Sequence, residues 1–415
     1  MAENLIGSEI IKLANEVNEL IRKGENINNF TIGDFDPAVF PVPQRLTELI
    51  VEAFRKGHTN YPVSNGMPEL RKAVSRFTAR MQHLNYSADE FLITGGARPA
   101  IYGIYKTLID PDDTVVFPVP SWNNNHYCHL TLAKGVMIET SPEKFFMPDA
   151  SLLKPHIGEA TLLALCSPLN PTGTVFSREQ LAGICELVLN ENEKRKGKRK
   201  PVYIMYDQVY SSLLFSDTRH YDPVSLFPEM RPYTLFVDGI SKSFAATGVR
   251  VGWAFGPKEI ISRMSAILSH VGAWAPKAEQ VAVTQFLNED ASVDDFLKHF
   301  RAEILERLEA FYHAFENLKS KGFTVDCIPP QAAIYLTVKF DLKGMKDKSG
   351  NRLVHQADVT SYLLHKAGLA IVPFSAFGAS PDSPWYRISV GTCSSVSEIP
   401  KIMNRLEKAL GDLQH

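Results

Sequence analysis

Cysteine is scarce: five residues in 415 (Cys128, Cys166, Cys185, Cys327, Cys393), none in a Cys-x-x-Cys pair. Scattered single cysteines argue against a disulfide framework or a structural zinc site and fit reduced thiols in a cytoplasm. The twelve histidines contain no His-Glu-x-x-His, and no metal is expected. Neither Gly-x-x-x-x-Gly-Lys-Ser/Thr nor Gly-x-Gly-x-x-Gly occurs, so the usual nucleotide loops find no support. No apolar run is long enough to span a bilayer, and residues 1–7 lack the charged-then-apolar form of a signal peptide. A cytoplasmic protein without membrane partners is the expectation. The net charge of −2 gives no strong pull toward nucleic acid. The one basic stretch, residues 190–200, lacks an aromatic platform and reads as a solvated helix end. Repeats and low-complexity segments are missing too.

What is there is an ordinary globular composition, 45% apolar and 22% charged, in a chain long enough for two domains. Short apolar runs at Phe91–Thr94, 114–117, 161–166, 202–206 and 234–237 read as strands, the continuous ones as buried parallel strands. Helical patterns stand between them. Residues 44–56 place Leu46, Leu49, Ile50, Ala53 and Phe54 on one face, with Gly57 as the stop. Ser177 and Gln180 form a capping box. From about residue 290 the character changes to a long helix over 296–319, strands at 333–338 and 385–390, a polar hairpin at 342–352 and a closing helix over 397–410. Residues 8–29 read as a first helix or arm, followed by a short strand at 30–32. The fold class is α/β. A large domain (48–290) has a mostly parallel sheet flanked by helices. A smaller α+β domain combines both chain ends, 1–47 and 291–415.

Chemistry gathers where strands end, the edge at which open α/β sheets bind ligands. Lys242 follows the run 234–237 among small residues, with Arg250 close behind. Burial and a nearby cation lower a lysine's pKa, and a neutral amine can attack an aldehyde. Gly95-Gly96-Ala97-Arg98 turns a strand into a helix, where exposed backbone N–H groups suit an anion. Alone, such a turn is weak evidence. Asp207 and Tyr210 stand three apart at another strand end. Arg387 lies in a strand, and its planar fork suits a carboxylate.

Five motifs occur in order: Asn170-Pro171-Thr172-Gly173, Asp207-x-x-Tyr210, Ser241-Lys242, Gly248-x-Arg250 and Arg387. This series resembles class I/II aminotransferases, the fold-type I enzymes that use pyridoxal 5′-phosphate. The resemblance runs from Gly33 to Arg387. It implies that Lys242 holds the cofactor covalently and moves protons. Asp207 would pair with the ring nitrogen, and Asn170 and Tyr210 would reach the ring oxygen. Trp122 would stack on the ring. Gly96, Ala97, Arg98, Ser241 and Arg250 would hold the phosphate, with Tyr61 reaching it from a neighbouring subunit of a homodimer. Gly33, Asn170 and Arg387 would bind the substrate, Arg387 by its α-carboxylate. The reaction implied is ping-pong transfer of an amino group between an amino acid and a 2-oxo acid. The ring-binding residues would equally serve a β-lyase, decarboxylase or synthase of the same fold. Two departures stand out: Gly239 replaces the usual serine or threonine, and Ala332 replaces a glycine. Arg98 and Lys277 are the candidates for reading a side-chain carboxylate, which would favour aspartate or glutamate.

Overall fold

The protein is described from a computed structural model covering residues 9–414. A seven-stranded sheet forms its centre, in the spatial order Phe91–Thr94, Gly252–Phe255, Thr234–Gly239, Tyr203–Asp207, Ala160–Cys166, Thr114–Val119, Lys134–Glu139. Only Gly252–Phe255 runs against its neighbours. The inner strands are apolar over most of their length because helices cover both faces, with Asp207 and Asp238 at strand ends. One face packs Leu46 and Leu49, Leu70 to Phe77, Leu181 to Val188 and Ala282 to Leu287; the other packs Ile101, Ile104, Ile261 and Met264. The expectation of an α/β domain with a mostly parallel sheet therefore holds, Gly252–Phe255 being the one reversed strand of the seven.

Close approach explains two glycines near the site. A Cβ on Gly252 would lie 2.6 Å from the Gly96 carbonyl carbon, and one on Gly239 2.9 Å from the Gly252 Cα. Three chain segments therefore meet at a spacing that no side chain permits. This gives a steric reason for glycine, rather than a hydroxyl residue, at position 239.

A second core surrounds a four-stranded antiparallel sheet, ordered Val372–Pro373, Trp385–Ser389, Tyr335–Phe340, Val325–Cys327. The helix Asp290–Ser320 ties the two cores together: Val293 and Leu297 pack in the first, Phe300 to Leu318 in the second. Phe30, Phe35 and Phe40 from the N-terminal segment also join the second core. The first helix spans Glu9–Arg22. The strand expected at 30–32 is instead Asn28–Asn29, paired in parallel with Leu369–Ala370. Phe30 still donates to the Ala370 carbonyl, but the chain then turns toward the cleft.

Candidate active site

Parallel register sets the site. Cys166 pairs with Asp207, and Asp207 with Val237, so three strands end side by side. Strand Thr234–Gly239 passes directly into the short helix Ile240–Ser243, which carries Lys242. Lys242 Nζ donates to the Gly33 carbonyl at 2.6 Å and lies 5.9 Å from the centre of the Tyr210 ring. Burial pushes its pKa down to about 8; Asp34 opposes this, and Arg387, Arg98 and Arg250 add to it. An amine in that range is partly neutral near neutral pH.

Asp207 lies at the floor of the same cleft, accepting from the Val209 N–H at 3.2 Å. Burial raises its pKa to about 6 and the Val209 N–H opposes the shift. It retains some solvent access, so a cation entering the cleft can restore the carboxylate. Tyr210 is buried, and its hydroxyl shares a 2.5 Å hydrogen bond with Tyr335.

Arg387 is 1% exposed. Its guanidinium donates to Asn170 Oδ1 at 3.0 Å and to the Thr31 carbonyl at 2.5 Å. It lies 4.7 Å from the Tyr335 ring centre and 4.9 Å from that of Phe377. Burial lowers its pKa, and no carboxylate among the described residues pairs with it. A buried cation without a counter-ion is costly unless a ligand supplies one. Gly33 leaves little room here: a Cβ would lie 2.9 Å from the Tyr335 hydroxyl and 3.3 Å from Arg387.

The Gly95-Gly96 turn opens the helix Ala97–Leu108. Gly96, at φ 95°, is its N-cap and provides no side-chain cap, so the first N–H groups stay available to an anion. Arg250 donates to the Gly95 and Thr247 carbonyls, both at 2.7 Å, and a Cβ on Gly96 would collide with its guanidinium. Arg98 is exposed, its guanidinium 5.5 Å from the centre of the Trp122 ring. Trp122 in turn packs against Phe377 at 6.0 Å. Ser241 is half-buried on the Lys242 turn. This donor set suits a phosphorylated aromatic aldehyde. It offers a helix N-terminus and Arg250 for the phosphate, a carboxylate for a ring cation, an indole for a ring face and an amine for the aldehyde.

Gly33, Asn170, Asp207, Tyr210, Lys242 and Arg387 are thus brought together, with Gly96, Ala97, Arg98, Trp122, Ser241 and Arg250 around them. Tyr61 is not drawn in. It is 83% exposed and stands edge-on to Trp274 at 5.7 Å. Lys277 donates to Asn60 Oδ1 at 2.7 Å on that same corner. Sequence reasoning missed Tyr335, Phe377 and Tyr127. Tyr335 had a signal: it alternates with Thr337, which lies opposite Arg387 in the sheet. Tyr127 is half-buried where the charges of Arg98 and Asp207 both reach it. Among the described residues no group of three or more His, Cys, Asp or Glu could hold a metal, and no helix is long and apolar enough to cross a membrane.

The family model for aminotransferase class I and II matches residues 25–406. An aspartate aminotransferase of Rhizobium meliloti (strain 1021) is 30% identical over 409 residues, 97% of this chain and 93% of the relative. A crystal structure of the aspartate aminotransferase from Rhizobium meliloti superposes with a TM-score of 0.90 at 28% identity, covering 99% of this chain and 98% of that one. The Thermus thermophilus aspartate aminotransferase with maleate gives 0.85 at 26% identity, covering 98% of each.

Proposed function

Because this chain belongs to the class I and II aminotransferase family, we propose that it transfers the amino group of an acidic amino acid to a 2-oxo acid, using pyridoxal 5′-phosphate bound at Lys242. One observation carries this reading. Four cations, Lys242, Arg98, Arg250 and Arg387, influence one cleft, and the three arginines have no carboxylate partner among the described residues. A phosphate and a substrate carboxylate would supply the missing anions.

The bound cofactor supplies an electron sink for the electrons left at the substrate Cα. Arg250 and the N–H groups after Gly96 hold its phosphate, with Arg98 and Ser241 alongside. Asp207 holds a positive charge at the ring nitrogen, and Asn170 and Tyr210 hold the ring oxygen. Trp122 covers one ring face. Arg387 fixes the α-carboxylate, and Gly33 keeps the backbone close. Lys242 Nζ, its pKa lowered by burial so that part of it is neutral near neutral pH, takes the proton from Cα and later returns it. The product keto acid leaves before the second substrate enters, so kinetics are ping-pong. A dicarboxylate is favoured because Arg98, exposed at the edge of the phosphate turn, is the remaining cation in reach of a second carboxylate once Arg387 is committed; the maleate in the Thermus relative is also a dicarboxylate. The assembly we propose is a homodimer, with Tyr61 of one copy reaching the phosphate of the other.

Borohydride reduction of the loaded enzyme should fix the cofactor on a peptide containing Lys242. Aspartate and 2-oxoglutarate should then give oxaloacetate and glutamate with parallel double-reciprocal lines. A label on another lysine overturns the site. Ammonia or carbon dioxide as the stoichiometric product overturns transamination in favour of a lyase or decarboxylase.

A further inference from the structure

A second buried carboxylate, Asp238, has no part in the roles above. It lies 3% exposed next to the end of strand Thr234–Gly239, four residues before Lys242. Oδ1 accepts from the Gly239 N–H at 2.7 Å, and Oδ2 accepts from Gln82 Nε2 at 2.9 Å. The Ser211 hydroxyl is a third hydrogen-bond partner. Burial raises its pKa to about 7, and these donors hold it down. Gln82 ends the helix Pro68–Gln82, so the chain is anchored on a packed element.

The donors follow one direction. Gln82 Nε2 faces Asp238 and also Ser211 Oγ at 3.0 Å, so Gln82 Oε1 is left to accept, and it takes Gln208 Nε2 at 2.6 Å. Gln208 Oε1 must then accept from His220 Nε2 at 3.2 Å. Burial lowers the His220 pKa to about 4, so the ring is neutral, and its buried Nδ1 has no partner. The neutral ring therefore carries its proton on Nε2. Gln208 and Ser211 are the two ends of the turn that holds Tyr210 and directly follows Asp207, and the Ser211 N–H closes that turn on the Gln208 carbonyl at 2.8 Å.

We propose that Asp238 is a positioning residue: its carboxylate directs the series Asp238, Gln82, Gln208, His220 and thereby locks the Asp207–Tyr210 turn against the turn that carries Lys242. The roles of Asp207 and Lys242 rest on the reading above. Once ionised, the form its three donors favour, Asp238 is an acceptor-only end, and the series then has a single satisfied arrangement; such networks fix geometry more firmly than single contacts do.

Asp238→Asn tests it. The Gly239 N–H cannot reverse, so the asparagine oxygen must face it and the NH2 must face Gln82. Both glutamines then turn over, and His220 must shift its proton to Nδ1. Imidazole 15N NMR of histidine-labelled protein reads this directly, with the His220 signal identified by its loss in His220→Gln. The expected result is Nε2–H in the wild type and Nδ1–H in Asp238→Asn. With it should come a fall of about tenfold in kcat at nearly constant KM. An Nδ1–H wild type, an unchanged tautomer in the variant or an unchanged kcat overturns the proposal. Should Asp238→Asn not fold, the far end decides. His220→Phe should lower kcat, and His220→Gln, whose amide can donate, should restore it; equal values in the two overturn the proposal. The tautomer needs no turnover. A chain with the stated tautomers and no transaminase activity would therefore defeat the functional reading alone.

Discussion

The floor of the cleft and its rim are built differently. On the floor, Lys242, Asp207, Tyr210, Asn170 and Arg387 are held by one another, by the Tyr335 hydroxyl or by backbone. On the rim, Arg98 is exposed over the Trp122 ring, and Tyr61, outside the site within this chain, is exposed edge-on to Trp274. A preorganised floor costs nothing to arrange at the moment of reaction. A rim with unused groups waits for something to arrive. On the proposed function, the floor would carry the chemistry common to all substrates and the rim the choice of partner and substrate.

The floor should break hardest. Asp207→Ala removes the carboxylate proposed to balance a protonated ring. The lost charge-assisted bond is expected to cost about a thousandfold in kcat, since each 1.4 kcal/mol of barrier is about tenfold. Stopped-flow measurement of the first half-reaction checks it. The loss should be equal for every amino acid tried. A rate near wild type would remove Asp207 from the mechanism.

The difference between floor and rim also tracks what the sequence made legible. Floor residues sit where an apolar run stops: Asp207 closes Tyr203–Asp207, and Lys242 follows Thr234–Gly239. Hydrophobic runs and turn residues are local signals, so the strand ends could be read within a residue or two. The helix Ala97–Leu108 and the Ser177–Gln180 capping box were equally readable. Long-range partners leave no such trace. Tyr335 meets Tyr210 across 125 residues, and Gln82 meets Asp238 across 156. The reversed strand Gly252–Phe255 was also missed; its four residues lie inside a motif and too close to two glycines to stand out. The long helix was read six residues short at its start because Asp290–Asp295 is polar on the exposed side.

The rim predicts a subtler failure, and one that a second copy can repair. Tyr61→Ala should weaken phosphate binding, while Lys242→Ala leaves the chain without its reactive amine. Each homodimer should be inactive or nearly so. Mixed under conditions that exchange subunits, the two variants should assort into hybrids with one intact site. Activity should return to about a quarter of wild type by random pairing in a twofold dimer. The measurement is turnover before and after mixing, with light scattering to give the mass. A fully active monomer would place Tyr61 outside the site.

Arg98 should give the smallest and most selective effect. Its guanidinium rests on the Trp122 face in reach of solvent, so any ion pair it forms is partly screened. A closed site strengthens such a pair, and truncating one partner of a desolvated pair costs about 2–5 kcal/mol. The exposure of Arg98 argues for the lower end or below. Arg98→Gln keeps a planar polar side chain, shorter than arginine, and removes the charge. With aspartate, kcat/KM should fall about tenfold or somewhat more; with alanine or phenylalanine it should change by less than about twofold. The selectivity, rather than the size, separates two roles for one cation. If Arg98 serves the cofactor phosphate alone, every substrate loses equally and cofactor affinity falls with it. If it reads a side-chain carboxylate, cofactor affinity stays and only the acidic substrates suffer. A wild type faster on phenylalanine than on aspartate would assign this end of the cleft to its aromatic residues, Trp122 and Phe377, and end the acidic reading.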